Sequence, residues 1–525
     1  MHRRLTHGLV GACLALPCFA QAAITLDANF DSGSLKSYSV SGNTISLVGR
    51  DTFAGSGNNL GSGKWRWLYF KATGVQNVLP TFSISRNFAG DLTPGPHELT
   101  DHQMVYSYDG VNWSYFNNNT LGSVNYVFSN AQAFTQNEVY VAYALPYSYG
   151  QSVAHAQQVL ATPWAQPTLS GDANGVIGQS PAGVDDLGRS IPALDLYAYR
   201  ITNPATDGST TKRRALLATG QHAAETLGIR TLEGLVDWLV SEDPRAAALR
   251  DRAEFFVYPM LNASGRYAGL TRAMLQHPNT DSNGYWNPSL WTNRIEQRIH
   301  GEAMLADLQP SPTNRLDVAI DFHSSVPDYE IIGPNGEGTS GRDDWGYIKT
   351  GQGDHLNPVW VNFRTLQPNV LQVTSGGGSN TTIGFSQNYL YADLDVTFEN
   401  QFAISRPSSY YHDLGKNWGL AMYQAWVQVG EPLAGDFDED GEVDAADLAA
   451  WQAGFGISAG AAHYQGDATG EGIVDGADFL AWQRQLGSPV GSANASIVPE
   501  PGTTFLLAIG WLLGRRAIRS RRYSR

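Results

Sequence analysis

Cysteine is almost absent from this chain. The 525-residue sequence has two cysteines, Cys13 and Cys18, and both lie in residues 1–22, where a basic start, an apolar run and small residues follow one another. This order is typical of a secretory signal peptide that is removed on export. A mature chain without thiols excludes disulfide bonds, a cysteine nucleophile and cysteine-ligated zinc. Any metal ion must therefore be bound by histidine and carboxylate side chains.

Basic residues are also few. Lys and Arg total 34 against 49 Asp and Glu, which gives a net charge of −15, and eight of the arginines lie near the two chain ends. A body this acidic repels phosphate backbones, so nucleic acid is not expected among the partners. With 42% hydrophobic residues and roughly 100–200 residues per domain, the length leaves room for two to four domains with real cores.

Long hydrophobic runs are scarce as well. The apolar run near the C-terminus, residues 503–513, has eleven residues, which is too few to span a bilayer comfortably. It follows Pro-Glu-Pro at residues 499–501 and precedes six arginines. This order, within residues 496–525, resembles the PEP-CTERM sorting tail. The resemblance implies removal by a sorting protease at the membrane and a location in the cell envelope or outside the cell; an ordinary C-terminal membrane anchor is the alternative.

Two acidic repeats lie within residues 435–488. Each places oxygen-bearing side chains at alternating loop positions around a glycine at position six, the spacing that suits calcium, which prefers hard oxygen ligands. The candidate ligands of the first repeat are Asp436, Asp438, Asp440, Glu442, Asp444 and Asp447. Those of the second repeat are Asp467, Thr469, Glu471, Asp475 and Asp478. Because Thr469 replaces a carboxylate, the second repeat is predicted to bind calcium more weakly.

Each acidic loop leads into a similar helical segment, residues 448–452 and residues 479–483. With aspartate at position twelve and two loop-helix units, the repeats resemble a type I dockerin. The resemblance implies a small helical module that folds around one or two calcium ions and binds a cohesin-like partner. An acidic, solvated linker is the alternative.

Short alternating segments fill residues 23–145. Examples are residues 65–71, 81–85, 104–108 and 139–143, which Asn, Gly and Asp residues separate. Alternation with a period of two over such lengths predicts an antiparallel β-sandwich. We interpret its many Tyr and Trp residues as core and cross-strand packing, with a carbohydrate-binding platform as the alternative.

Residues 146–430 alternate predicted strands with amphipathic helices. This pattern predicts an α/β domain whose mixed sheet is flanked by helices. Three buried strand candidates are residues 214–219, 316–322 and 394–398. Because sites in such sheets form at strand ends, the residues that follow these strands are the candidates for chemistry.

Each of the three strand candidates leads to histidine or glutamate. His222 and Glu225 follow the first, His323 follows the second and Glu399 follows the third. Two neutral imidazoles and one carboxylate can hold zinc with one position left for water, as hydrolysis requires. A second carboxylate, off the metal, can carry a proton to the leaving group. His222, Glu225 and His323 fit the first role, and Glu399 fits the second.

Residues 30–428 resemble the zinc carboxypeptidases, in the cytosolic-carboxypeptidase-like branch that places a β-sandwich before the catalytic domain. The segments that carry the resemblance are Trp65-Arg-Trp-Leu-Tyr-Phe70, Ala144-Leu-Pro146-Tyr-Ser-Tyr149, His222-Ala-Ala-Glu225-Thr226, Pro259-Met-Leu-Asn262, Asp321-Phe-His323 and Thr397-Phe-Glu399. The resemblance implies one catalytic zinc ion with the ligands His222, Glu225 and His323. It gives Glu399 the role of general base and acid in hydrolysis of a peptide or protein substrate through a zinc-bound water.

Substrate binding is where the chain departs from this family. By resemblance, Arg272 polarises the scissile carbonyl, and Asn283 belongs to an Asn-Arg pair that binds the terminal carboxylate of the substrate. Gly284 replaces the arginine of that pair, and glycine offers a carboxylate no bond. Either another arginine, such as Arg266 or Arg294, takes this role, or the substrate has no free terminal carboxylate.

Three functions therefore remain open. The first is a zinc metallocarboxypeptidase that hydrolyses peptide bonds, favoured by the three ligands and by Glu399. The second is a zinc amidase or endopeptidase on the same scaffold, favoured by Gly284. The third is a catalytically inactive, calcium-dependent binding protein, against which the intact Glu399 counts.

Overall fold

The computed structural model describes residues 23–50, 65–88, 99–100, 102–208, 211–325, 344–348, 354–374, 378–402, 405–428, 433–438 and 441–487. These residues form two compact units, which divide after Val427. The predicted signal segment, the C-terminal tail and Asp440 lie outside the described residues.

The elements are numbered here in chain order. Strands β1 to β10 are Thr25–Asp27, Ser37–Ser41, Thr44–Val48, Tyr69–Thr73, Thr81–Ser85, Val105–Ser107, Ser114–Tyr115, Asn118–Leu121, Asn125–Ser129 and Glu138–Ala142. Strands β11 to β22 are Ala165–Pro167, Val176–Gln179, Gly183–Val184, Ser190–Ile191, Asp195–Tyr197, Tyr199–Ile201, Arg213–Thr219, Ala253–Tyr258, Val318–Ser325, Trp345–Ile348, Leu371–Thr374 and Leu394–Gln401. Helices α1 to α10 are Tyr149–Leu160, Thr226–Leu239, Pro244–Arg252, Ala263–Tyr267, Ile295–Leu308, Pro358–Leu366, Thr382–Tyr389, Ser408–Trp426, Ala445–Gly454 and Gly476–Gln485.

The first ten strands form two five-stranded sheets, ordered β1-β4-β10-β6-β7 and β2-β3-β5-β9-β8. Alternate residues of β5, including Phe82, are buried, because successive side chains of a strand point to opposite faces. The Phe82 ring lies 5.8 Å from the ring of Phe70 on the other sheet, and both belong to one core. This is the two-layer arrangement predicted for residues 23–145.

One strand pair of this sandwich differs from the prediction. β3 and β5 pair in parallel, so the expectation of a purely antiparallel sandwich is wrong at this pair. The reason is the connection between them, because the chain crosses to the other sheet to form β4 before it returns as β5. A crossover of this kind returns a strand in the same direction, whereas a tight hairpin reverses it.

The larger sheet has the strand order β11-β16-β18-β17-β19-β22-β20-β21. Its centre is parallel, from β18 through β17 and β19 to β22, while the β11–β16, β16–β18 and β20–β22 pairs are antiparallel. Helices α2, α6 and α8 contribute to the core on one face, and α5 and α7 contribute to the core on the other. The predicted α/β domain with a mixed sheet flanked by helices is confirmed.

The second unit contains two helices built alike. Asp444 caps the N-terminus of α9, and Asp475 caps that of α10. The indole nitrogen of Trp451 donates to the Asp475 carbonyl at 2.9 Å, and that of Trp482 donates to the Asp444 carbonyl at 2.7 Å. The two sequence repeats therefore also share one pattern of hydrogen bonds.

Among the described helices, none is both long enough and apolar enough to cross a membrane. The apolar run at residues 503–513 lies outside the described residues.

Candidate metal centre

The turn between β17 and α2 carries two of the predicted zinc ligands. β17 ends at Thr219, and Gly220 follows with a φ of +72°, a left-handed conformation that glycine adopts without strain. His222 lies in this turn, and Glu225 stands at the N-terminus of α2. The backbone thereby reverses within a few residues and directs both side chains to the same end of the sheet.

β19 brings the third predicted ligand to the same place, because it lies beside β17 in parallel. The Nδ1 atom of His323 lies 3.2 Å from Nδ1 of His222 and 2.8 Å from Oε2 of Glu225. Nδ1 of His222 lies 2.8 Å from Oε1 of Glu225. All three side chains are buried, and each offers one ligand atom within 4.8 Å of the others. Two imidazole nitrogens and a carboxylate are a donor set that fits zinc.

An outer carboxylate contacts the far nitrogen of each imidazole. Nε2 of His222 lies 2.9 Å from Oδ1 of Asp281, and Nε2 of His323 lies 2.7 Å from Oδ2 of Asp321. A proton held between Nε2 and a carboxylate leaves the Nδ1 lone pair free to face the centre. These outer contacts favour the tautomer that a metal ligand needs.

The buried charges at this centre shift the pKa values of the ligands. Burial by itself would raise the pKa of Glu225, but the neighbouring His222 and His323 hold it well below its usual range. Burial would lower the pKa of His323, yet Asp321 and Glu225 raise it well above its usual value. These shifts show that the carboxylates around the two imidazoles stabilise positive charge at the centre, which favours a bound cation.

Glu399 stands next to the centre on the neighbouring strand. β22 pairs with β19 in parallel, with Glu399 beside His323. Both strands run on past the ends predicted for them, so that His323 and Glu399 lie inside strands rather than after them. Burial raises the pKa of Glu399 to about 7, and its Oε2 atom is buried without a hydrogen-bond partner among the described residues. A carboxylate with these properties can accept and return a proton near neutral pH.

The two predicted substrate-binding residues border the same centre. Arg272 donates from Nη1 to Oε1 of Glu225 at 3.0 Å and from Nε to Oδ2 of Asp281 at 2.9 Å. Burial opposes its charge, but these two carboxylates raise the pKa of Arg272. Asn283 accepts the backbone amide of Thr382 at 2.9 Å. Arg272 is therefore fixed in its charged form, beside the predicted ligands.

The two arginines that could replace the one missing at Gly284 differ in their surroundings. A Cβ added at Gly284 would meet no atom within 4 Å, so open space lies beside this residue. Arg266 is 1% exposed, and Arg294 is 8% exposed. The guanidinium of Arg294 lies 3.6 Å from the ring centre of Tyr285, donates to Thr280 at 3.0 Å and contacts no carboxylate among the described residues.

In the second unit, three carboxylates of the first acidic repeat converge. Asp436, Asp438 and Asp447 offer oxygen atoms within 4.8 Å of one another. Backbone amides support this loop, since Gly441 donates to Oδ2 of Asp436 and Asp438 donates to Oδ1 of Asp447, both at 3.0 Å. Asp444 accepts the amide of Ala446 at 2.7 Å as the helix cap.

The second acidic repeat has a similar backbone but a sparser set of acids. Asp467 accepts the amides of Gly470 at 2.8 Å and Gly472 at 2.7 Å, and Asp478 accepts that of Thr469 at 3.1 Å. Among the described residues, this repeat forms no group of three acids as close as that of the first. The remaining candidate ligands are placed as follows: Asp475 caps α10, and Glu442 and Glu471 are exposed.

Sequence reasoning missed the residues that hold the ligands in place. Asp321 precedes His323 by two residues on one strand, so that both side chains face the same way, and this spacing is a signal that could have found it. Asp281 lies 59 residues from His222 along the chain, and no local spacing links them. Ser324 accepts the amides of Leu227 and Gly228 with its hydroxyl, a contact visible only in the fold.

Comparison with known proteins identifies two matching families. Residues 180–307 match the model for zinc carboxypeptidases, a range that includes His222, Glu225, Arg272 and Asn283. Residues 498–522 match the PEP-CTERM protein-sorting motif.

The mouse cytosolic carboxypeptidase 6 is 31% identical over 143 residues, which cover 27% of this chain and 26% of the mouse protein. The bovine cytosolic carboxypeptidase 3 is 26% identical over 251 residues, or 44% of this chain and 24% of that protein. The chain thus spans about a quarter of the length of these relatives.

Two solved structures share the fold over most of the chain. A metallo-carboxypeptidase from Burkholderia cenocepacia superposes with a TM-score of 0.57 at 19% identity, covering 76% of this chain and 98% of its own. The Pseudomonas aeruginosa metallo-carboxypeptidase in complex with (2-guanidinoethylmercapto)succinic acid gives a TM-score of 0.55 at 17% identity, with the same coverage. The matching family and the shared fold together support a zinc metallopeptidase.

Proposed function

We propose that this chain is an exported zinc metallocarboxypeptidase that hydrolyses a peptide bond in a peptide or protein substrate. One observation carries the proposal: Nδ1 of His222 and Nδ1 of His323 face the carboxylate of Glu225 at hydrogen-bond distances. Glu399 stands beside them with a buried oxygen that contacts no polar partner among the described residues. This donor set and the unpartnered carboxylate fit zinc and a proton carrier, respectively.

Each residue around the centre has a separate role in the proposed reaction. Zinc held by His222, Glu225 and His323 would act as a Lewis acid and lower the pKa of water. Glu399, whose pKa is raised by burial, would take the proton of the attacking water and pass it to the leaving amine. Arg272, fixed in place by its acidic partners, would donate to the oxygen that gains negative charge in the transition state.

We further propose that Asn283 and Arg294 bind the terminal carboxylate of the substrate. Arg294 supports this role because its guanidinium is stacked on Tyr285 and contacts no carboxylate among the described residues. A zinc amidase or endopeptidase is the second candidate, since the open space beside Gly284 could admit a longer chain. If Arg294 binds the terminal carboxylate, Arg294→Ala should raise KM for substrates with a free carboxylate and leave kcat within about threefold.

For the second unit we propose a dockerin-like module, residues 435–488, that binds one or two calcium ions and a cohesin-like partner. The converging carboxylates of Asp436, Asp438 and Asp447 support a calcium ion in the first repeat.

The matching PEP-CTERM motif supports export to the cell envelope and contact with a sorting protease. In this proposal, residues 23–145 form the sandwich and residues 146–430 the catalytic domain.

The decisive experiment compares three forms of the full chain on blocked and unblocked peptides. Wild type should cleave unblocked peptides and lose activity with a zinc chelator. Glu399→Gln should keep its zinc while kcat falls about 10²–10⁴-fold. Glu233→Gln is the matched control, because Glu233 is another largely buried glutamate that bonds Tyr147 and His412 away from the centre, and its kcat should not change.

The other outcomes identify the competing functions. Cleavage of blocked and unblocked peptides alike would support the amidase or endopeptidase. Absence of cleavage, with calcium-dependent binding retained, would support the inactive binding protein. If Glu399→Gln kept most of the wild-type rate, the role proposed for Glu399 would be wrong.

A further inference from the structure

A buried arginine of the β-sandwich reaches into the catalytic domain. Arg50 lies just after β3 and is 1% exposed. Its Nη1 atom donates to the carbonyl oxygen of Ala268 and, at 3.4 Å, to that of Gly269. Its Nη2 atom contacts the carboxylates of Asp185, at 3.3 Å, and Asp186. One guanidinium thus joins the sandwich to two separate loops of the catalytic domain.

A second arginine makes the reciprocal contact. Arg189, in the catalytic domain, donates from Nη1 to the carbonyl oxygen of Ala28 at 2.6 Å and from Nη2 to that of Ala268 at 2.6 Å. Its Nε atom bonds the carboxylate of Asp185 at 2.7 Å. Ala28 belongs to the sandwich, so the Ala268 carbonyl accepts from an arginine on each side of the boundary. Two arginines and two aspartates balance the charge of this cluster, which is buried except at Asp186.

The loop that these arginines hold is in direct backbone contact with the sandwich. The amide of Ser32 donates to the carbonyl of Tyr267 at 2.9 Å. Gly269 has a φ of +63°, and a Cβ there would lie 2.3 Å from the carbonyl oxygen of Gly33. Only glycine allows this approach. The loop is therefore packed closely against the backbone of the sandwich.

This loop leads directly to the catalytic centre. The carbonyl of Thr271 accepts the amide of Ala224 at 2.8 Å, within the turn that carries the predicted zinc ligands. Arg272 follows and contacts Glu225 at 3.0 Å. Ala224 and Leu227, on either side of Glu225, also pack into the core of the sandwich. The sandwich thus contacts both the loop that leads to Arg272 and the turn that carries the predicted zinc ligands.

We propose that Arg50 is a positioning residue for Arg272, and that the β-sandwich is a working part of the active site rather than a separate binding module. The inference rests on the proposed peptidase activity. Arg50 does not touch substrate in this proposal; it fixes the carbonyls of Ala268 and Gly269 and thereby the direction in which Arg272 leaves the loop. Displacement of such a group by about 1 Å is enough to cost up to about 10²-fold in rate.

The test is a double-mutant cycle in the full chain. Arg50→Met should lower kcat about 10- to 100-fold with zinc content and KM little changed. In an Arg272→Ala background, the same Arg50→Met change should lower kcat less than about threefold, because the residue through which it acts is gone. Arg50→Lys, which keeps the charge but not the fork of donors, should fall between. The control is Arg86→Met, since Arg86 donates to the carbonyl of Gly122 inside the sandwich.

A readout independent of activity completes the test. Hydrogen exchange of zinc-loaded protein should become faster in residues 267–273 and 222–225 with Arg50→Met or Arg50→Lys, and should stay unchanged with Arg86→Met. If wild type cleaves no peptide, the proposed function fails, while the exchange data still decide whether Arg50 holds this loop. Equal losses of kcat from Arg50→Met with and without Arg272, or no loss and no change in exchange, would overturn the proposal.

Discussion

At the scale of single residues, the centre depends on which nitrogen of each imidazole carries the proton. Asp321 and Asp281 both contact Nε2 atoms, of His323 and His222 respectively. These contacts favour a proton on Nε2, so that the two Nδ1 atoms can serve as ligands to a metal ion. Asp321 is in turn held by the hydroxyl of Thr382. In the proposed zinc site, the outer carboxylates therefore matter as much as the three ligands.

Replacement of an outer carboxylate should weaken zinc binding. We expect Asp321→Asn to lower zinc affinity about 10- to 100-fold, because an amide cannot hold the imidazole proton as a carboxylate does. The measurement is competition against a zinc chelator of known affinity. Asp237→Asn is the matched control, since Asp237 makes the same kind of bond to His155, at 2.9 Å, outside the centre. Equal zinc affinities of the two variants would contradict this role of Asp321.

The proposed ligands could be predicted from the sequence as candidates, and of the residues that support them only Asp321, two residues before His323, had a local signal. His222 and Glu225 are three residues apart after a strand, and this spacing is a local signal. His323 and Glu399 each lie near the end of a recognisable strand, so their approach depends only on the strands being neighbours. Asp281 comes from a loop far along the chain and meets His222 only through the fold. Distant partners of this kind leave no mark in the local pattern.

At the scale of elements, the N-terminus of α2 is capped by another strand. Glu225 makes no side-chain cap of its own helix. Instead, the hydroxyl of Ser324 accepts the amides of Leu227 at 3.1 Å and Gly228 at 2.9 Å. Ser324 follows His323 on β19, so one residue both satisfies the helix end and holds the two ligand-bearing elements together.

Loss of this cap should affect both stability and the metal centre. We expect Ser324→Ala to lower the free energy of unfolding by about 1–2 kcal/mol and also to weaken zinc binding. Ser148→Ala removes an ordinary local cap, that of α1, and should cost similar stability without any change in zinc affinity. Urea unfolding and zinc competition measure the two effects. Unchanged zinc binding in Ser324→Ala would show that the cap is structural only.

Element types were easier to predict than their ends and partners. The alternation of β5 predicted a strand correctly, because it reflects one buried face. α2, in contrast, is buried on nearly all sides. The ends of β19 and β22 were predicted too early, since polar residues such as Ser324 continue these strands at the site. The parallel pairing of β3 with β5 depends on a crossover, and alternation within a strand carries no information on direction.

At the scale of the whole molecule, the first unit contains buried histidines outside the metal centre that should make it sensitive to acid. The Nε2 atom of His102 lies 2.6 Å from the carbonyl of Tyr143, and Nδ1 is buried without a partner among the described residues. Burial lowers the pKa of His102 to about 4 and that of His300 to about 3. Both lie below the value of about 6.5 in an unfolded chain. Stability should therefore be complete above about pH 6.5 and decline as the pH falls toward 4.

The contribution of His102 can be measured by substitution. Between pH 6 and 5, each such histidine should contribute up to about 1.4 kcal/mol of stability loss per pH unit, because the unfolded chain binds a proton that the folded chain excludes. His102→Gln should reduce that slope in urea unfolding of zinc-free protein. His412→Gln, at a side chain 38% exposed, is the control and should leave the slope unchanged. A slope that does not respond to His102→Gln would contradict the assignment.

The second unit should be the part of the molecule that calcium stabilises. Its small core includes Phe437, Val443 and Trp482, whereas the first unit has several larger cores of its own. A bound ion, as proposed for this unit, would offset part of the entropy of ordering a chain with so small a core.

Chelation of calcium should therefore unfold residues from about Asp436 to Gly487 while the first unit stays folded. Calcium at 100 times its dissociation constant should stabilise the second unit by about 2.7 kcal/mol. Asp436→Asn, in the first repeat, should remove most of this gain, and Asp467→Asn, in the second repeat, should remove less, because the first repeat has the closer set of carboxylates. Hydrogen exchange of the full chain with and without chelator measures both units at once. If hydrogen exchange in residues 441–487 did not respond to calcium, the dockerin-like assignment would be wrong. The proposal for the zinc centre would be unaffected.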